Sequence, residues 1–138
     1  MTEIYVTVEA EIRPTEDRSK VETAFTNLFS GGIEVEGELD DYGKMRLRGK
    51  GRESLEKFRI ILLRDQIRNA ARSVLWRGTQ DQQIIVFLNK QAAYAGHASF
   101  SAPEGESPMG PIKLTIETSN PAEVVRWLTG RGEEPRKK

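Results

Sequence analysis

At 138 residues, with 37% hydrophobic and 30% charged side chains, the chain is long enough for one well-cored domain and too short for two. Lysine plus arginine and aspartate plus glutamate each number 21, so the formal net charge is zero and bulk electrostatic coating of nucleic acid is excluded. Cysteine is absent, which removes disulfides, thiolate nucleophiles and cysteine-ligated zinc.

The N-terminus carries no basic-then-apolar signal and no run reaches membrane-spanning length, so a cytoplasmic protein is expected. Ile4, Val6, Val8, Ala10 and Ile12 alternate with Tyr5, Thr7, Glu9 and Glu11, which predicts a strand with one buried face. Pro14 ends it. Thr15 or Asp17 then caps a helix with acids in its first turn and Val21, Ala24, Phe25 and Leu28 as its apolar stripe. Gly31 and Gly32 stop that helix.

Two alternating runs follow, Ile33 to Asp40 and Lys44 to Lys50, joined at Asp41-Tyr42-Gly43. Placing Leu39 opposite Met45 pairs Asp40 with Lys44, Glu38 with Arg46, Glu36 with Arg48 and Glu34 with Lys50, so every acid meets a base. Residues 51–78 are helical in composition. Their apolar phase slips near Asp65, which predicts two helices or one kinked one. A strand over Ile84–Leu88 is followed by a polar and small-residue segment, and then by a strand around His97–Phe100. Ser101–Pro111 reads as a loop and Ile112, Leu114 and Ile116 as the last strand. Asn120-Pro121-Ala122-Glu123 is a strong helix start, with an N-cap, a first-position proline and a capping acid. The order predicts a single α+β domain over 1–130, a mostly antiparallel sheet with helices packed on one face, and a charged tail over 131–138.

The most informative stretch runs from Phe87 to Gly96. An apolar strand passes directly into Asn89, Lys90 and Gln91, then into Ala92, Ala93, Ala95 and Gly96. Polar reach beside room for close approach suits a contact surface, while a solvated strand exit would look the same. Asn89–Ala93 (NKQAA), together with Pro14–Phe29 (PTEDRSKVETAFTNLF), resembles the archaeal UPF0201 family over Ile4 to about Leu128. That resemblance implies a generic RNA-binding role and a fold similar to the large-subunit ribosomal protein that holds five-S ribosomal RNA. It further implies a homodimer and a link to RNA-processing machinery. The resemblance marks Lys90 and Gln91 as characteristic without assigning them a role; the functional reading of the residues is that Lys90 meets a phosphate while Asn89 or Gln91 reads an amide or base edge. The competing reading places Ala92, Ala93, Ala95 and Gly96 at a subunit interface.

Arg64, Arg68 and Arg72 recur every four residues, which aligns three guanidinium groups along one edge able to follow an RNA backbone. Solvated arginines covering apolar neighbours are the alternative. Arg46 and Arg48, with Lys44 and Lys50, form a second basic set that the opposing acids of the hairpin should neutralise. His97 is the single histidine and has no nucleophile or orienting acid in a recognisable pattern, so a structural or surface role is expected. Asp40-Asp41 lacks a calcium-loop pattern, and no metal, cofactor or enzymatic activity is expected. A non-enzymatic RNA-binding protein is the first reading and a protein–protein adaptor the second.

Overall fold

The N-terminal alternation is realised as β1 (Ile4–Ile12), where Ile4, Val6, Val8, Ala10 and Ile12 are buried while Tyr5 and Glu11 face solvent. The computed structural model describes residues 3–37, 43–102 and 110–130. After β1 come α1 (Arg18–Leu28), β2 (Gly32–Gly37), β3 (Gly43–Lys50), a 3-10 turn (Arg52–Ser54), α2 (Glu56–Arg64) and α3 (Arg68–Arg77). Then follow β4 (Thr79–Gln80), β5 (Gln83–Asn89), α4 (Lys90–Tyr94), β6 (Pro111–Thr118) and α5 (Pro121–Thr129). The six strands form one antiparallel sheet in the order β2-β3-β1-β6-β5-β4. The chain is therefore a single α+β domain. No described helix is long and apolar enough to cross a membrane.

Local chemistry explains the elements. Asp17 caps α1 by accepting from the Ser19 backbone N–H at 2.9 Å, and Val21, Ala24, Phe25 and Leu28 are buried as their helical spacing requires. The first turn of α1 carries no acid; Asp17 alone meets the positive end of the helix dipole. The phase slip near Asp65 is a true break: Asp65 closes α2, and Gln66 takes φ 58°, the left-handed region no helix continues through. Asn120 caps α5 by accepting from the Glu123 N–H at 3.2 Å, with Pro121 in the first turn. The core lies between sheet and helices. Phe29 and Phe58 meet there with ring centroids 5.3 Å apart, and Ile84, Leu88, Leu114 and Ile116 are completely buried.

Two expectations are corrected. The hairpin register pairs Val35 with Met45, Glu34 with Arg46, Glu36 with Lys44 and Gly32 with Arg48, four positions from the expected alignment. The chain between Gly37 and Gly43 is a longer connection than the three-residue turn assumed, and Leu39, Asp40 and Asp41 lie outside the described residues. The predicted strand near His97–Phe100 reduces to one bridge between Leu88 and Phe100. Hydrogen bonds from Asn89 N–H to the Ser99 carbonyl and from Ser101 N–H to the Phe87 carbonyl flank it.

Strand alternation leaves the sheet with two unlike faces. The described helices pack on the face carrying Val6, Leu47, Leu114 and Val86. On the opposite face none of Tyr5, Thr7, Glu9, Arg46, Arg48, Lys50, Lys113, Thr115, Ile85 or Phe87 is fully buried.

Candidate functional site

On the helical side, the segment that most resembled a contact surface is bound into the fold. Asn89 caps α4, its Oδ1 accepting from the Ala92 N–H at 2.8 Å. Lys90 is only 5% exposed; its Nζ donates to Glu16 Oε2 at 3.0 Å, to Oε1 at 3.1 Å and to the Glu11 carbonyl at 2.8 Å. The ammonium expected to meet a phosphate is thus satisfied internally. Burial pushes Lys90 below the ordinary lysine value, while Glu16 opposes that shift. Ala93 is fully buried, and the carbonyls of Ala93 and Tyr94 each accept from Asn27 Nδ2 at 3.0 Å. Ala93 thus lets α4 approach α1 within the molecule. Gln91 and Ala95 remain exposed, and Ala92 and Gly96 are partly covered. Gly96 takes φ 87°, and an added Cβ would meet nothing within 4 Å, so backbone conformation and not close packing favours glycine there.

The three arginines do not form one edge, because the α2–α3 break separates the first from the others. Arg64 donates from Nε to Asp65 Oδ1 at 3.0 Å and from Nη2 to the Gly96 carbonyl at 2.7 Å. Asp65 also receives His97, Nδ1 to Oδ2 at 3.0 Å, and the hydrogen bonds of Arg64 and then His97 hold its carboxyl below the usual aspartate range. Arg68 donates to the Gly130 carbonyl at 2.9 Å. Arg72 donates to Thr129 Oγ1 at 3.0 Å and to the Thr129 carbonyl at 2.8 Å. Two guanidinium groups therefore cap the C-terminal end of α5, where unsatisfied carbonyls favour cations.

The open sheet face has a different character. Arg46 is locked between Glu9, Nε to Oε2 at 2.9 Å, and Glu36, Nη1 to Oε2 at 3.1 Å. That cancellation stops one residue pair along the strand. Arg48 stands opposite Thr7 on β1 and Gly32 on β2, and Lys50 stands opposite Tyr5, so neither faces a carboxylate across the ladder. Both are exposed. Lys50 Nζ lies 5.7 Å from the centroid of the Tyr5 ring, which is 43% exposed and donates its hydroxyl to Glu3 Oε1 at 2.9 Å. Inward across the sheet, Thr7 pairs with Thr115 and Thr115 with Ile85, a floor of short and medium side chains. The carboxylates of Glu9, Glu11, Glu34 and Glu36 gather toward the other end of the β2-β3-β1 ladder, and Glu117 lies beside Tyr5 on β6. At that end the acids stand opposite Lys44, Arg46 and Lys113, whereas Arg48 and Lys50 form a basic corner with Tyr5 at which neither cation has a carboxylate directly across the ladder.

Tyr5, Thr7 and Thr115 were not singled out in the sequence. Their signal is the outward half of the strand alternation, but only the sheet order brings β1, β3 and β6 together. Among the described residues no group of three His, Asp or Glu side chains could hold a metal ion; Asp40 and Asp41 fall outside them.

A family model described as RNA binding matches residues 5–118, from Tyr5 on β1 to Thr118 at the end of β6. A UPF0201 protein of Pyrobaculum arsenaticum is 41% identical over 128 residues, spanning 91% of this chain and 89% of the relative. One from Metallosphaera sedula is 40% identical over 134 residues, spanning 95% of this chain and 90% of the relative. The crystal structure of a UPF0201 protein from Methanococcus jannaschii superposes with a TM-score of 0.81 at 27% identity, covering 91% of this chain and 98% of that one.

Proposed function

Because the chain belongs to the UPF0201 family, and the matching model is described as RNA binding, we propose that it is a non-enzymatic RNA-binding protein using the open face of its sheet. The observation that carries this reading is the corner at Arg48, Lys50 and Tyr5, where two exposed cations lack an opposing acid beside a half-exposed aromatic ring. A guanidinium and an ammonium spaced two residues apart on one strand face lie about 7 Å apart along it, close to the phosphate spacing of an extended nucleic-acid strand. The Tyr5 ring offers a stacking surface, and Thr7 and Thr115 leave the adjoining floor low enough for a sugar or base to lie against it.

The helical side supports the same choice by subtraction. Arg64, Arg68, Arg72 and Lys90 are each engaged in intramolecular bonds, and displacing them would cost the caps and pair they form. A second copy of the chain, which belongs to this proposal, would find apolar contact at Ile60 and Leu63. These side chains stand 50% and 48% exposed on α2.

Fluorescence-anisotropy titrations with structured and single-stranded RNA across a salt series test the reading. Affinity should fall steeply with salt, and Arg48→Glu with Lys50→Glu should both weaken binding and flatten that slope. Unchanged affinity and slope in that double variant would refute the open-face assignment.

A further inference from the structure

The strand β2 forms one free edge of the sheet, and its composition says what could pair with it. Of its six residues only Ile33 is partly covered; Val35 is 40% exposed. Among the described residues, β2 makes no backbone hydrogen bond beyond its ladder with β3. On the paired edge, Glu34 and Glu36 stand opposite Arg46 and Lys44 on one face, while Ile33 and Val35 stand opposite Leu47 and Met45 on the other. Side chains alternate between faces and not between edges, so the free edge offers the same two requirements: carboxylates on the solvent face and apolar groups on the helical face.

Two copies of β2 cannot satisfy those requirements for each other. An antiparallel pair centred on Val35 sets Glu34 of one copy against Glu36 of the other, and one centred on Glu34 sets that carboxylate against itself. Like charges directly opposite destabilise a ladder, so the acids disfavour self-association in these two registers. They also repel phosphate, which separates the edge from the basic corner of the open face.

We propose that the free edge of β2 docks an extended segment of another protein in which Lys or Arg alternates with apolar residues, added to the sheet as a further strand. The β3 strand already shows the chemistry that fits. Its run Lys44-Met45-Arg46-Leu47 sets bases opposite the β2 acids and apolar side chains opposite Ile33 and Val35. A partner of that pattern would repeat the arrangement on the opposite edge, with main-chain bonds supplying affinity and the alternating side chains supplying specificity. It would also cover Val35 and place a second set of cations beside Glu34 and Glu36, of which only Glu36 reaches Arg46 at 3.1 Å. The proposal stands independently of the RNA reading.

A terminally blocked peptide with the β3 sequence, GKMRLRGK, serves as the probe, titrated into the isotope-labelled full chain and followed by amide chemical shifts and hydrogen exchange. Shifts and slowed exchange should concentrate on Ile33–Gly37, with a dissociation constant below roughly 1 mM. The charge-reversed peptide GEMELEGE should bind at least about tenfold more weakly, as should the original peptide to Glu34→Lys. The reversed peptide needs no change in the protein, so its result stands even if Glu34→Lys perturbs the hairpin. No shifts at roughly 1 mM peptide would overturn the proposal, as would shifts centred elsewhere or equal binding of both peptides.

Discussion

Lys90 and Glu16 close a buried ion pair, Nζ to Oε2 at 3.0 Å, that ties the end of β5 to the residues just ahead of α1. Both side chains are less than a tenth exposed, at 5% and 7%. The contact also carries the Glu11 carbonyl and, through Glu16 Oε1, the Arg13 backbone N–H at 2.8 Å, so it organises the exit from β1. Lys90→Met would leave the Glu16 carboxylate buried without a counter-charge, and a loss of about 3–5 kcal/mol is expected. Adding Glu16→Leu should recover much of that loss. Urea unfolding of the two variants beside the parent measures both effects.

Arg72 gives the second prediction. Its paired bonds to Thr129 satisfy carbonyl and hydroxyl groups at the end of α5, where Thr129 is fully buried. Arg72→Ala should lower stability by about 1–3 kcal/mol. It should leave the salt dependence of RNA binding unchanged, because the side chain acts within the fold. Thermal melts and the anisotropy series read those two outcomes separately.

Asp65 sets an acid limit. Arg64 and then His97 lower its carboxyl below the ordinary value, so its folded pKa lies under its unfolded one. The resulting stabilisation is complete above the unfolded aspartate value of about 3.9 and is lost as pH falls through the lowered folded value. Asp65→Asn should therefore be less stable than the parent at neutral pH, and the difference should shrink below about pH 4. Melting temperatures collected through that range test the sign.

The strands and the principal helices were legible because their signals are local. Alternation from Ile4 to Ile12 needs no partner to be read, and Asn120-Pro121 announces α5 within four residues. The candidate site was less legible because its determinants are distant. Lys90 looks like a free ammonium until Glu16, 74 positions away, folds onto it. Arg68 and Arg72 look like a phosphate-binding edge until α5 delivers Gly130 and Thr129 to them. The charge balance of the hairpin turned on register. A shift of four residues preserves the alternation of faces, so hydrophobic pattern alone could not distinguish the expected alignment from the observed one. That shift is what leaves Arg48 opposite Gly32 on β2 instead of opposite Glu36.

The most direct measurement is an amide chemical-shift footprint of the full chain titrated with a short single-stranded RNA at low salt. If the open face carries the RNA, the largest shifts fall on β1, β3 and β6 around Tyr5, Thr7, Arg48, Lys50 and Thr115, and they disappear in Arg48→Glu with Lys50→Glu. Shifts centred instead on α3 and the end of α5, persisting in that double variant, would contradict the assignment and return the RNA to the arginines of the helical side.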